Sequence, residues 1–396
     1  MRLFVAGQAL SNIGTFFQIV ALSLLVLEVT GSGFALGATM SIGALPFLLL
    51  GPWAGTVIDR VPIRWLLLTT STLACLQAAA IGVIVATGAT HISWILALTF
   101  SLGFVQIFDR PASQAFLNEL APEAQLPSAV AMASSAQSVG RLGGPAIAAV
   151  VYASLGPAWC FLINAVSYLA VVVALLLLNR SQMLPRRRAQ GMTGQLREGI
   201  RFVAHSPLHR TTLIANAIIG CLAFNFPLFY SSLVTKGFHA PPVGFGIAES
   251  LNAITAVGGA LYLARSPITP TRRLYALACI GLGISLAWSA TAPTLYLFYA
   301  GMLYFGAAVV FYGTSAQSLI QQHTPPEMLG RVMSFYVLGA MGTTPIGGLI
   351  AGWLIDAAGP RAAIGLGAAS AIGAGVVLLL LARDRGVAEP TPEVAT

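Results

Sequence analysis

The chain is 396 residues long, with 57% of them hydrophobic and only 8% charged. A soluble globular chain carries about a quarter charged residues, so this one cannot clothe a water-facing surface, and a soluble enzyme is excluded. The formal charge of +8 would suit nucleic acid if it lay on one patch, but its distribution, given below, excludes that too.

Apolar runs of roughly twenty residues recur from end to end, and each can cross a ~30 Å hydrocarbon core as a helix. The short alternating segments of a membrane barrel are absent from the sequence. The expected fold is all-α, with twelve transmembrane helices at about 3–28, 33–57, 65–86, 92–118, 128–155, 158–178, 208–235, 242–264, 274–291, 294–320, 329–355 and 361–382. Turn residues punctuate the breaks: "TGSG", "RVPIR", "LAPEAQLP", "LGP" and "TPPE".

The first run has only Arg2 before it and no small-residue cleavage site after it, so it reads as a retained span rather than a signal peptide. On it, Gln8, Asn12 and Phe16 share one face at helical spacing. Span four ends in "QIFDRPASQAF". Its Asp109 lies roughly 25 Å below the span's start at 1.5 Å per residue. Two readings stay open for it. Either it is a buried, titrating carboxylate paired with Arg141 or Arg110, or Asp109 and Arg110 anchor the helix at the interface before Pro111. Arg110 and Gln114 share a face that can turn toward a cavity.

In span five, Arg141 lies too deep to snorkel to the headgroups and must face protein, water or a carboxylate. Residues 179–207 form the one long hydrophilic connection, and "GQLREGIRFVAHSP" within it reads as an amphipathic helix on the membrane surface. Beyond it, Asn225 and Tyr230 in span seven, Asn252 in span eight, and Tyr312 and Gln317 in span ten are cavity candidates, since aromatics with a few amides suit bulky, partly apolar ligands. Glu249 sits a third of the way down span eight. Charge inside hydrocarbon is costly and marks function, so Glu249, Asp109 and Arg141 are the proton-coupling candidates. The final residues, 383–396, read as a disordered tail.

Twelve spans place both termini on one side. That side collects Arg2, Arg60, Arg64, Arg180, Arg186 to Arg188, Arg197, Arg201, Arg210, Arg265, Arg272, Arg273, Arg331, Arg383 and Arg385, against Lys236 and Arg361 opposite. Basic loops stay cytoplasmic, so both termini are expected there, in a cell membrane, with the charge serving topology and anionic lipid. The halves also echo each other: "GGPAIAAVVYASLGP" in the first answers "TTPIGGLIAGWLIDAAGP" in the second. The expected division is 1–178 and 208–382 as six-helix bundles, joined by the linker at 179–207.

These features resemble the major facilitator superfamily. "GTVIDRVPIR" is similar to its cytoplasmic signature, filled here by Gly55, Asp59, Arg60 and Arg64, with Pro62 in place of the usual glycine after Asp-Arg. Asp59 and Arg60 read as a gate, holding one state and releasing it during the switch. "GRLGGPAIAA" resembles the helix motif of the superfamily's antiporters through Gly140, Gly144 and Pro145, with alanine replacing the final glycines. "DRPASQAFLNELAPEAQLPSAVAM" and "GPAWCFLINAVSYLAV" are similar to the branch of enterobactin exporters and macrolide efflux pumps. The resemblance implies a monomer exporting a small molecule by proton antiport. Import or facilitation on the same fold is the alternative, because architecture does not set direction. No cofactor or metal is expected. The histidines lack ligand spacing, and Cys75, Cys160, Cys221 and Cys279 lie at unrelated positions in apolar runs. Catalytic motifs and a nucleotide-binding loop are absent from the sequence.

Overall fold

The computed structural model describes residues 2–120, 140, 144–178, 195–266 and 271–383; the side chains of residues 2, 51–56, 59, 118, 195–197 and 383 fall outside the description. The expected tail and most of the linker therefore lie outside the described residues.

The helices are α1 (Arg2–Thr30), α2 (Gly33–Arg60), α3 (Ile63–Ala86), α4 (Ile92–Leu120), α5 (Gly144–Leu155), α6 (Pro157–Leu177), α7 (Gln195–His205), α8 (Pro207–Leu222), α9 (Phe226–Ser232), α10 (Val243–Arg265), α11 (Arg272–Thr291), α12 (Leu295–Gln322), α13 (Pro326–Val337), α14 (Thr344–Ala358) and α15 (Pro360–Arg383). Among the described residues, 11 helical stretches are long and apolar enough to cross a membrane, and α5 is a further, shorter apolar helix. No strand occurs among the described residues.

Local chemistry sets the helix ends. Ser32, Thr271 and Thr294 cap α2, α11 and α12 by accepting the backbone N–H three residues on. Proline opens α6, α8, α13 and α15, where its missing N–H costs nothing. The sequence echo has a structural counterpart: Gly156 and Gly359 both turn the chain at φ near +90° (92° and 88°) just before a proline, a conformation that disfavours any side chain.

Two spans that read as continuous in the sequence are broken. The seventh is α8 and α9, interrupted at Ala223–Asn225, and a π-helical turn at Leu233–Gly237 follows. Pro227 in the first turn of α9 cannot donate to the preceding turn, so the ladder restarts there. The eleventh is α13 and α14, joined by a π-helical turn at Leu338–Gly342. Pro345 cannot bond the Met341 carbonyl, and the Thr344 hydroxyl donates to it instead at 2.6 Å. The two breaks pack together: Gly220 faces the carbonyls of Gly339 and Ala340, and Thr343 donates to the Ala217 carbonyl at 3.2 Å.

In the first half, α6 packs on α1 and α3, and α4 packs on α2 and α3; in the second, α11 packs on α12 and α15, α10 on α12, and α8 and α14 on α15. Large apolar side chains such as Val166, Leu177 and Trp353 are more than 60% exposed, which suits hydrocarbon and not water. The amphipathic helix α7 is present: one flank rests on protein, while Ile200 of its apolar face is 53% exposed. Phe202 and Val203 pack with Val332 and Phe335 at the start of the eleventh span, and Gly199 lets Phe335 and Arg331 close in. Glu198 then pairs with Arg331 at 2.8 Å. This end of the molecule is the linker end; the turns at Thr30–Gly33, Ala86–Ile92 and Ala358–Pro360 mark the far end.

Candidate functional site

In the first half, the Thr70 hydroxyl of α3 donates to Asp109 Oδ1 at 2.6 Å, and Gln8 of α1 donates to Ser113 of α4 at 3.0 Å. Tyr168 stands beside Asp109, with Thr15 and Asn164 in reach of its hydroxyl. Asn164 donates to Gln18 at 2.5 Å and Gln18 to Gln77 at 3.3 Å, so buried amides tie α6, α1 and α3 together. Such groups hydrogen-bond to one another because hydrocarbon offers nothing else. Asp109 thus takes its hydrogen bond from Thr70, a partner not foreseen from the sequence, while Arg110 next to it is exposed.

Small residues make close helix contacts within and between the halves. Gly140 lies against the backbone of Asn12 and Ile13, and Gly144 against Phe16. Farther along α5, the Pro145 carbonyl and Ala149 close on Gly246 of α10. The span-five motif therefore seats α5 on α1 and, across the halves, on α10. On the opposite flank, α2 runs along α14. Cβ atoms on Gly37 or Gly352 would overlap backbone of the other helix, and Ser41 donates to the Pro345 carbonyl at 2.6 Å. A Cβ on Gly33 would overlap the Ile355 side chain. Above that contact, at the far end, Asp356 accepts from Ser32 Oγ at 2.6 Å and from the Gly33 and Phe34 amides at 2.6 and 2.9 Å.

In the second half, Asn225 sits in the break of the seventh span. It donates to the Cys221 carbonyl at 3.0 Å, with Gly347 of α14 pressed on the same carbonyl. Rings flank the break. Tyr275 meets Tyr312, Tyr312 meets Phe224, Phe224 meets Phe226, and Phe226 meets Phe305 and Tyr230 with centroids 4.7–6.3 Å apart. Tyr312 also donates to Asn216 at 2.9 Å. Asn252 donates to Glu249 at 3.4 Å, one helical turn away on α10. A bilayer-embedded helix break with amides, rings and a carboxylate around it is the arrangement from which membrane proteins build solute sites.

The other sequence candidates distribute as follows. Arg141 lies outside the described residues, as do the side chains of Gly55 and Asp59. Arg60 is exposed, and Arg64 donates to the Leu176 carbonyl at 3.2 Å. Gln114 and Gln317 are exposed on their helices, whereas Asn225, Tyr230 and Tyr312 are buried in packing. Sequence reasoning missed Gln18, Gln77, Asn164, Asn216 and Asp356. The signal for the amides was polarity inside apolar runs, and for Asp356 a carboxylate in "WLIDAAGP" at a span end. Among the described residues, no group of His, Cys, Asp or Glu could hold a metal.

The comparisons agree with this architecture. A family model described as "Transmembrane secretion effector", of major facilitator type, matches residues 1–390. The chain is 27% identical over 368 residues to the multidrug efflux pump Tap of Mycolicibacterium fortuitum, covering 88% of this chain and 87% of that one. It is 23% identical over 334 residues to macrolide efflux protein A of Streptococcus pyogenes, covering 83% and 82%. Among solved structures, the nucleoside transporter NupG superposes with a TM-score of 0.74 at 14% identity, over 96% of this chain and 99% of that one. The chain belongs to the transmembrane secretion effector family of major facilitator transporters, multi-pass membrane proteins that move small molecules and are not enzymes.

Proposed function

We propose that this protein exports a small, partly apolar molecule from the cytoplasm in exchange for protons, by alternating access between its two six-helix halves. The observation that carries the reading is the pair of side-chain-poor seams, α2 on α14 and α5 on α10, between halves that each hold a polar, carboxylate-bearing layer within the membrane. Seams of this kind join two bodies without interlocking them, as rocking requires. The arginine asymmetry supports the linker end as cytoplasmic, so the seams hold the outer side closed and the linker side is where substrate enters.

Proton coupling rests on Glu249 and Asp109, with Arg141 as a charge partner in span five. Both carboxylates lie in helices, are largely withdrawn from solvent and accept from neutral donors, Asn252 and Thr70. A carboxylate so placed can change charge between states, because burial disfavours the anion and a facing charge restores it. The rings around Phe224 and Phe226 support a bulky, partly apolar substrate, the kind of compound named for the macrolide and multidrug relatives. Asp59 and Arg60 supply the linker-side gate, and anionic lipid contacts the basic loops of a monomer.

Everted membrane vesicles test the reading. Energised to an acid interior and offered labelled erythromycin or a fluorescent multidrug substrate such as ethidium, they are expected to accumulate it and to release it when a protonophore collapses the gradient. Accumulation that persists without the gradient, or uptake only in right-side-out vesicles, would overturn it.

A further inference from the structure

We propose that Asp356 is a far-end latch: a carboxylate of the second half that grips the α2 N-terminus of the first half and must let go before the halves part there. The first amides of a helix have no partner within it, and its positive end attracts an anion. In α2, Ser32 Oγ satisfies Ala35 at 3.1 Å, and Asp356 takes the two amides before it, Gly33 through Oδ1 and Phe34 through Oδ2. Asp356 Oδ2 accepts from the Ser32 hydroxyl as well. One side chain thereby completes the start of a helix in the other half of the protein.

The fourth donor to Asp356 differs in kind. Lys236 Nζ reaches Oδ1 at 2.9 Å, and Lys236 belongs to the same half as Asp356. If the halves separate, Ser32, Gly33 and Phe34 leave with α2, while Lys236 stays. An ion pair with both side chains about 30% exposed (29% and 31%) contributes little by itself. Its use here is to aim the carboxylate and to hold a charge partner when α2 is gone. The other far-end charges are engaged elsewhere. Arg361 donates to the Ala290 carbonyl and covers the Phe238 ring, and Glu28 accepts from Tyr152; His239 is exposed.

The pseudo-symmetric seam has no such device among the described residues. Helix α10, the counterpart of α2, starts at Pro242–Val243 without a side-chain cap, and Gly246 meets the Ala149 methyl and the Pro145–Ala146 backbone. Among the described residues the far end is therefore fastened by a charged side chain at one seam and packed through small residues at the other. This asymmetry singles out Asp356, since a merely structural cap would serve equally on both.

Double electron–electron resonance reads the outcome without a substrate, so it separates a failed latch from a failed transport assignment. Spin labels go on Ala89→Cys and Pro293→Cys, exposed far-end turns of the two halves, in a cysteine-free background in lipid nanodiscs. Asp356→Asn, which turns an acceptor pair into a half-donor facing N–H groups, is expected to enlarge the long-distance population at least twofold. Lys236→Gln is expected to enlarge it less. If Asp356→Asn does not fold, Ser32→Ala removes one donor to Asp356, together with the Ala35 cap, and is expected to shift the distribution the same way. A distribution superimposable on the wild type in Asp356→Asn, or in Ser32→Ala where that variant replaces it, overturns the proposal.

Discussion

Thr70 and Asp109 are joined by a 2.6 Å hydrogen bond between α3 and α4, so a carboxylate deep in the first half is held by a neutral hydroxyl. Asp109→Asn preserves the shape and can still accept from Thr70. Transport driven by a pH gradient is expected to fall at least tenfold in this variant with its melting temperature unchanged. Wild-type rates in reconstituted vesicles would remove Asp109 from the cycle. Thr70→Val, which strands the carboxylate, is expected to lower stability by about 1–3 kcal/mol.

Glu249→Gln retains the contact with Asn252 and deletes the titrating group. The expected outcome is loss of gradient-driven efflux, while exchange of labelled for unlabelled substrate across the membrane continues. Exchange needs alternating access but no net proton movement. Loss of both activities together in a well-folded protein would count against a proton-specific role.

Close helix packing within and between the halves predicts where a methyl group is intolerable. Gly347 and Gly348 of α14 face the Cys221 carbonyl and the Ser41 hydroxyl with no room for a side chain. Gly347→Ala is expected to destabilise by about 1–3 kcal/mol, the usual cost of overpacking, seen as a drop of several degrees in thermal unfolding. Gly313→Ala is the control, since open space surrounds that position in α12. Alanine there is expected to be neutral or slightly stabilising, because it is the better helix former.

Tyr312→Phe tests the break region. It leaves the Asn216 carbonyl oxygen without the hydroxyl, while Asn216 still donates to the Tyr336 carbonyl at 2.9 Å. Hydrogen bonds between membrane helices average about 0.6 kcal/mol, so a shift of one or two degrees in melting is expected. A much larger effect on substrate affinity than on melting would identify the Phe224–Tyr312 pair as a contact surface for the ligand.

The helices were legible because hydrocarbon permits few backbone solutions: a run of apolar residues such as Pro157–Leu177 must hydrogen-bond to itself. The repeated Gly-Pro turns at Gly156 and Gly359 were legible for a similar local reason. The breaks at Asn225 and Leu338–Gly342 were not, since Pro227 and Pro345 only permit a break, and the packing of Gly220 and Gly347 between helices distant in sequence makes it. Polar partners were hidden too. Gln18, Gln77 and Asn164 are far apart in the chain and meet only because α1, α3 and α6 pack, and the α7 sequence gave no sign that Phe202 and Val203 would meet Val332 and Phe335.

In the rocking motion proposed above, the bare backbone contact of Gly37 and Gly348 would serve the two halves as a fulcrum. Asp356 lies roughly 12 Å along α14 from that point, and a tilt of about 10° carries it roughly 2 Å. That arc is longer than any hydrogen bond can stretch, so in the proposed motion a small rotation at the pivot would become an all-or-none event at the tip of the lever.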